Sequence, residues 1–162
     1  MNRKICRFHI YLLPPFRCFL QKLKYVTMKL NLNFKLLSLN VRGIRSIEKR
    51  KAIFNWLVKS KSDIRFLQET YSTSEVELAW KSQWRGDVLF SYGSEHSRGV
   101  TILVKENFDC ELKVCHIDSD GRFIILRGQM QDHPFVLFNI YAPNRPNDQQ
   151  CTFFRRNSDE AR

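Results

Sequence analysis

The clearest pattern in the chain is a pair of short apolar runs, residues 36–41 and 64–67, with a segment of helical spacing between them. In that segment apolar residues recur three and four positions apart and charged residues fill the remaining positions, as in a helix that packs one face on a sheet. Ser46 is the expected N-cap. A strand, a helix and a second strand in this order predict a β-α-β unit, whose right-handed crossover makes the two strands parallel neighbours.

A polar residue stands at the end of each of these strands. Asn40 closes the first run, and Glu69 follows two positions after the second. The carboxyl ends of parallel strands meet at one edge of a sheet, and such folds bind their ligands in the crevice there. Carboxylate oxygens are the ligands that a hard cation prefers. The pattern therefore predicts a metal and phosphate site at this edge.

The second half of the chain has a different pattern, in which strand-like runs follow one another with only short polar turns between them. These runs are residues 87–91, 99–104, 110–117, 123–130 and 135–141, and a weaker helical segment at 75–84 precedes them. Close spacing without helices favours antiparallel hairpins, and Asp120-Gly121 is a strong turn signal. We expect an α/β fold in which all strands form one mixed β-sheet with helices on one face.

Nearly every predicted strand is apolar on both faces, as residues 100–104 and 135–138 show. The two predicted helices can cover one face of a sheet, and the other face then needs a second layer. We therefore expect another subunit, or a missing C-terminal half, to cover the exposed sheet face.

The composition fits one domain, since 162 residues with 43% hydrophobic and 13% aromatic content can bury a core. The formal charge of +11 is uneven: residues 1–33 carry seven Lys or Arg and no acid, which leaves +4 for the rest. Net charge alone is therefore a weak argument for nucleic-acid binding. We expect a basic leader at 1–32 and a domain at 33–162. The leader is open to two interpretations, an organellar transit peptide or an unstructured stretch before a true start at Met28.

The compartment is constrained by the cysteines and by the lack of long apolar runs. The five cysteines form no CxxC pair and no metal-finger spacing, which favours a reducing compartment. No run approaches the roughly 20 apolar residues that a membrane-spanning helix needs, so we expect no membrane partner. We expect an intracellular protein, nuclear, or mitochondrial if the leader is a transit peptide.

Five short motifs occur in a characteristic order: LNVRGIR at 39–45, LQET at 67–70, SRGVTILV at 97–104, DGRFIILRG at 120–128 and NIYAPN at 139–144. Together they resemble the endonuclease/exonuclease/phosphatase superfamily, and within it the apurinic-endonuclease-like nuclease domain of LINE-type non-LTR retrotransposons. The resemblance covers about residues 33–160 and corresponds to the N-terminal half of that domain. It implies the N-terminal half of a four-layer αββα sandwich, a DNase I-like fold.

The resemblance also implies roles for three residues in hydrolysis of a DNA phosphodiester. Glu69 matches the glutamate that ligates the catalytic Mg²⁺, for which Mn²⁺ is an alternative. Asn40 matches the asparagine that helps to orient the scissile phosphate and the nucleophile. Tyr141 matches the tyrosine that hydrogen-bonds the phosphate. Simpler interpretations are a solvated strand-end carboxylate for Glu69, a turn residue before Gly43 for Asn40, and β-propensity for Tyr141.

Three further residues are expected to meet the nucleic acid. Arg42 and Arg45 lie where basic side chains can contact the DNA backbone, a role that positions DNA without reading its sequence. Asn144 falls where the APN turn of relatives faces the nucleic acid. The resemblance implies no small-molecule cofactor.

The chain also departs from the pattern of its relatives. The downstream motifs of the family, a GDFN-type Asp/Asn pair and an SDH triplet, do not occur in the sequence, and Tyr71 follows LQET where many relatives have His. We therefore expect a truncated copy with little activity. Two alternatives stay open: an apurinic/apyrimidinic repair endonuclease or exonuclease III-like enzyme, and a non-catalytic fragment or nucleic-acid-binding module.

Overall fold

The structure is a computed structural model that describes residues 34–130 and 133–141, together with the backbone of residues 9–11. A single 3-10 turn, Ser74–Val76, precedes the second of the two helices in this part of the chain. The helices are α1 (Ile47–Lys59) and α2 (Glu77–Gln83). The strands are β1 (His9–Tyr11), β2 (Leu36–Asn40), β3 (Ile64–Gln68), β4 (Val88–Ser91), β5 (Val100–Val104), β6 (Glu111–Ile117), β7 (Phe123–Met130) and β8 (His133–Ile140).

The predicted β-α-β unit is confirmed. Strands β2 and β3 pair in parallel over their whole length, from Leu36 opposite Ile64 to Asn40 opposite Gln68. Helix α1 connects them, and the Ser46 hydroxyl caps it by accepting a hydrogen bond from the Lys49 amide at 3.3 Å.

The strands do not form the one mixed sheet that the sequence predicted, and this detail of the α/β prediction is wrong. They form two four-stranded sheets, a mixed one in the order β2-β3-β5-β4 and an antiparallel one in the order β1-β8-β7-β6. Short-range hairpin signals identify neighbouring strands, but they do not show where the chain leaves one sheet and begins another. Here the chain changes sheets between β1 and β2 and again between β5 and β6.

The two sheets pack face to face around an apolar core. Phe66 and Ile102 of the mixed sheet meet Ile124, Phe135 and Leu137 of the antiparallel sheet, and these side chains are almost completely buried. The face that was expected to need another subunit or a missing half is thus covered by this chain itself. A protein partner stays a prediction.

Both helices cover the outer face of the mixed sheet, which confirms the weaker helical segment as well as the stronger one. Phe54, Leu57 and Trp80 from the helices pack on Leu67 and Leu103 of the sheet. This layer fixes the loop between β2 and α1, where two of the predicted site residues lie.

Strand β1 lies inside the segment predicted to be a leader, and it pairs antiparallel with β8. The boundary of the leader stays a prediction, since the rest of residues 1–33 lies outside the described residues. The predicted start of a helix at 149–156 also lies outside them. Among the helices that the structure describes, neither is long or apolar enough to cross a membrane.

Candidate active site

The carboxyl ends of three strands from both sheets meet at one end of the sandwich. Asn40, the last residue of β2, is paired with Gln68, the last residue of β3. Asn139, near the end of β8, crosses between the sheets: its side chain accepts a hydrogen bond from Gln68 Nε2 at 2.7 Å and donates to the Leu67 carbonyl at 3.3 Å. The residues that follow these three strands therefore share one edge of the molecule.

Asn40 and Glu69 come together at this edge, as the sequence predicted. Asn40 Nδ2 donates to Glu69 Oε1 at 2.9 Å, and Asn40 Oδ1 accepts from the Arg42 amide at 3.2 Å. Both polar atoms of the Asn40 side chain are hydrogen-bonded, so the orientation of this side chain is fixed, and it fixes the Glu69 carboxylate in turn. Among the described residues nothing donates to the second carboxylate oxygen, Oε2. Both side chains are half-buried.

The turns that carry this pair have an unusual backbone. Arg42, Glu69 and Tyr71 have φ values of 48°, 53° and 56°, and Gly43 has 76°. Left-handed residues other than glycine are uncommon, and each stores of order 1–3 kcal/mol of strain that the surrounding structure must hold. The Gly43 amide donates to the Glu69 carbonyl at 2.6 Å, which ties the two turns together. Strain of this kind concentrates at functional sites.

Tyr71 lies against the glycine of the neighbouring turn. A Cβ atom on Gly43 would lie 2.5 Å from Tyr71 Cδ2, so the ring touches the Gly43 backbone directly. The Tyr71 amide donates to the Arg98 carbonyl at 3.0 Å. The Tyr71 ring therefore packs the turn after β3 against the turn at Gly43.

Tyr141 follows β8 at the same edge. Its amide donates to the Arg122 carbonyl at 2.7 Å, and its half-buried side chain packs on the core between the sheets. Side chains alternate along a strand, so Tyr141 lies on the same face as Asn139. Asn139 is hydrogen-bonded to Gln68 of β3, the residue before Glu69. Asn144 lies outside the described residues, and its role stays a prediction.

The two predicted DNA-contacting arginines both lie on the loop between β2 and α1. Arg45 donates to Thr73 Oγ1 at 3.0 Å and forms an ion pair with Glu95 at 2.9 Å. Arg42 is exposed, and its carbonyl accepts from Lys49 Nζ at 2.8 Å. Three cationic groups thus lie on the segment that begins beside Asn40.

The sequence analysis did not identify the polar side chains directly beneath the site. Ser38, Gln68 and Asn139 interrupt runs of apolar residues in β2, β3 and β8, and the latter two are 3% and 1% exposed. A polar residue within or at the end of an apolar strand was the available signal. Its meaning depends on partners in other strands, which one sequence does not show.

The chemistry of this edge fits an open cation site with one protein carboxylate. In the part of the chain that the structure describes, no three His, Cys, Asp or Glu side chains cluster as a metal cage would require. Mg²⁺ commonly binds through one or two carboxylates and takes its other ligands from water and substrate phosphates. Glu69, oriented by Asn40 and open at Oε2, fits that role.

Two packed sheets with helices on the outside and a polar edge at the strand ends define the DNase I-like class of α/β domains. Solved structures agree with this assignment. TDP2 from C. elegans matches 78% of this chain and 41% of its own, with a TM-score of 0.54 and 25% identity. A truncated Caenorhabditis elegans TDP2 matches 78% of this chain and 54% of its own, with a TM-score of 0.52 and 24% identity.

Among curated proteins, the chain is 31% identical over 106 residues to a Xenopus laevis protein described as "Transposon TX1 uncharacterized 149 kDa protein". The match covers 65% of this chain and 8% of that protein, so the chain spans a small part of its relative. No family model matches the chain. The resemblance and the DNase I-like fold expected from the five motifs are confirmed: the transposon protein and the TDP2 structures support a nuclease domain of the endonuclease/exonuclease/phosphatase type.

Proposed function

We propose that this domain is a Mg²⁺-dependent endonuclease of the retrotransposon type, which nicks DNA by hydrolysing a phosphodiester bond. The observation that carries the proposal is the hydrogen bond from Asn40 to Glu69 at the edge where three strands end. The similarity to a transposon protein favours this substrate over small phosphoesters.

The proposed division of labour follows from the contacts of each side chain. Glu69 presents Oε2 as a cation ligand while Oε1 is occupied by Asn40. When bound there, Mg²⁺ would neutralise the charge that develops on the phosphate oxygens, and Mn²⁺ could replace it. Asn40 keeps the carboxylate in one orientation, which limits the reorganisation needed when substrate arrives. The proposed role of Tyr141 is to donate its hydroxyl hydrogen to a phosphate oxygen.

DNA is the proposed partner, and the basic loop beside the site is its proposed contact. Arg42 and Lys49 are exposed and follow Asn40 on the chain, so they can meet backbone phosphates. Arg45 would do so after releasing Glu95. Asn144 is proposed to face the DNA from the turn after β8. With DNA as its substrate, the protein is proposed to act in the nucleus, or in mitochondria if the basic leader directs it there.

The activity of this chain alone is proposed to be weak. The Asp/Asn pair and the SDH triplet that complete the site in relatives do not occur in the sequence. The chain therefore supplies the cation and phosphate ligands but lacks the groups that would activate the attacking water.

The test combines nicking of supercoiled plasmid, with Mg²⁺ or with EDTA, and Mn²⁺ binding measured by electron paramagnetic resonance. We compare the native chain with Glu69→Gln and, as a matched control, with Glu106→Gln, which removes an exposed carboxylate at the opposite end of the sandwich. We expect slow nicking that requires the metal and is lost in Glu69→Gln. Mn²⁺ should bind Glu69→Gln at least about tenfold more weakly, since even groups that only support a metal ligand contribute on that scale.

A native chain that neither binds Mn²⁺ nor nicks DNA in a metal-dependent way would refute the proposed function. Equal behaviour of Glu69→Gln and Glu106→Gln would refute the role of Glu69. Preferential cleavage of an abasic duplex over an intact one would favour a repair-type endonuclease instead.

A further inference from the structure

Three polar side chains form a continuous hydrogen-bonded chain beneath the candidate active site. Ser38 Oγ lies 3.0 Å from Gln68 Nε2 and 3.3 Å from Gln68 Oε1, and Gln68 Nε2 also donates to Asn139 Oδ1 at 2.7 Å. Asn139 Nδ2 then donates to the main-chain carbonyls of Leu67 and Thr101, at 3.3 and 3.0 Å. We call Ser38, Gln68 and Asn139 the amide chain. It runs from β2 through β3 of one sheet to β8 of the other.

The amide chain lies in surroundings that are otherwise apolar. Gln68 and Asn139 are almost completely buried, and the preceding inward-facing residues of their strands, Phe66 and Leu137, belong to the core between the sheets. A buried amide destabilises a fold unless its hydrogen-bonding groups are satisfied, and both polar atoms of the Asn139 side chain have partners. A satisfied buried network fixes one arrangement of the elements it joins.

The register of the amide chain relates it directly to the site. Ser38 lies two residues before Asn40, Asn139 two residues before Tyr141, and Gln68 immediately before Glu69. Side chains two apart point to the same face of a strand, so Ser38 and Asn139 lie one layer below Asn40 and Tyr141. Gln68 bonds to both of them at the end of β3, directly before Glu69.

Glu69 and Tyr141 follow strands of different sheets, and the apolar burial that holds the sheets together is non-directional, so it specifies their relative position less sharply than hydrogen bonds do. Hydrogen bonds are directional, and the bond from Gln68 to Asn139 joins the strands that carry these two residues. A misplacement of about 1 Å between reacting groups can lower a rate by about 10²-fold.

We propose that Asn139 is a positioning residue, which acts through Gln68 to hold the phosphate ligand Tyr141 in register with the cation ligand Glu69. The inference rests on the proposed function and adds to it a coupling between the two halves of the site. Cation binding on one sheet and phosphodiester binding on the other reinforce each other only while the amide chain is intact.

The experiment measures that coupling in the full chain. Mn²⁺ affinity is determined by electron paramagnetic resonance with and without a short DNA duplex that carries phosphorothioate linkages to resist cleavage. Coupling between two binding sites commonly amounts to about 5- to 150-fold in affinity, and we expect about tenfold for the native chain. Asn139→Leu and Gln68→Met keep the size of each side chain but break the amide chain. We expect both to reduce the coupling to less than about twofold while each ligand alone binds nearly as in the native chain.

Thr101→Val is the matched control. Thr101 is fully buried, and its hydroxyl has no hydrogen-bond partner among the described residues. The substitution removes an equally buried polar group and leaves intact the main-chain carbonyl that Asn139 contacts. It should keep the tenfold coupling of the native chain. Circular dichroism verifies that each variant folds.

The outcomes separate this inference from the proposed function. A native chain that binds neither Mn²⁺ nor the duplex would refute the proposed function, and the inference would fall with it. Native binding with coupling that persists in the folded Asn139→Leu and Gln68→Met variants would overturn the inference alone. If Asn139→Leu does not fold, Gln68→Met decides. If neither folds, the amide chain serves stability and not positioning, which also overturns the inference.

Discussion

The contact between Gly43 and Tyr71 makes a quantitative prediction about the turns that carry the site. Gly43→Ala places a methyl group 2.5 Å from Tyr71 Cδ2 and 2.8 Å from Cε2, at a residue with φ of 76°. The left-handed backbone costs an alanine roughly 1–2 kcal/mol, and forcing extra volume into a packed site costs about 1–3 kcal/mol more. We therefore expect Gly43→Ala to lower the free energy of unfolding by about 2–5 kcal/mol, a large part of the roughly 5–15 kcal/mol of a typical domain.

The two contributions can be separated with a second substitution. Tyr71→Ala removes the ring, so Gly43→Ala in that background should cost only the backbone contribution of roughly 1–2 kcal/mol. Tyr71→Phe keeps the ring and should leave the cost of Gly43→Ala unchanged. The free energy of unfolding is measured by urea denaturation followed by tryptophan fluorescence, since Trp80 and Trp84 are buried and report loss of the core.

Two results would contradict this interpretation. A loss of less than about 0.5 kcal/mol for Gly43→Ala would place it among ordinary surface substitutions and would mean that the turn is not held as described. An equal loss with and without the ring would mean that Tyr71 does not press on Gly43.

Three further predictions concern hydrogen-bonded side chains outside the site. Arg50 is buried and donates to two main-chain carbonyls and one glutamine side chain. Arg50→Met should therefore lower the free energy of unfolding by about 2–4 kcal/mol in the same urea experiment. The control Arg85→Met, at an exposed position, should change it by less than about 0.5 kcal/mol. Hydrogen bonds from Lys81 and then Tyr92 lower the pKa of Glu77, so its stabilising effect is present above its ordinary pKa of 4.5 and is lost as the pH falls through the lowered value. Glu77→Gln should therefore flatten the acid side of the stability profile. Burial, and then the bond to Glu77, raises the pKa of Tyr92 to about 12 from 10.0, so that its stabilising effect is complete below pH 10.0 and is lost toward pH 12. A phenolate absorbance titration should show late ionisation of one tyrosine, absent in Tyr92→Phe.

The local elements and the Asn40–Glu69 pair could be predicted from the sequence because short-range periodicity determines them. The apolar spacing of α1 and its Ser46 cap are properties of a few adjacent residues, and parallel strands bring their ends to one edge regardless of the rest of the fold. The positions of Asn40 and Glu69 followed from these two facts alone.

The division into two sheets and the amide chain could not be predicted for a related reason. Strands that are apolar on both faces fit the centre of one sheet or the inside of a sandwich equally well, and only tertiary packing decides. Asn139 bonds to Gln68, 71 positions earlier, and no local pattern specifies that pairing. No signal in the sequence predicts the left-handed backbone of Glu69 either, since glutamate does not favour that conformation.

Strand β1 has a consequence for any shortened form of the protein. It pairs with β8 from His9 opposite Phe138 to Tyr11 opposite Val136, and thereby occupies the hydrogen-bonding groups along that border. A chain begun at Met28 would leave these amides and carbonyls open beside largely apolar side chains, a surface that recruits strands from other molecules. By pairing with β8, β1 protects this border from other molecules, and its removal should favour aggregates over monomers.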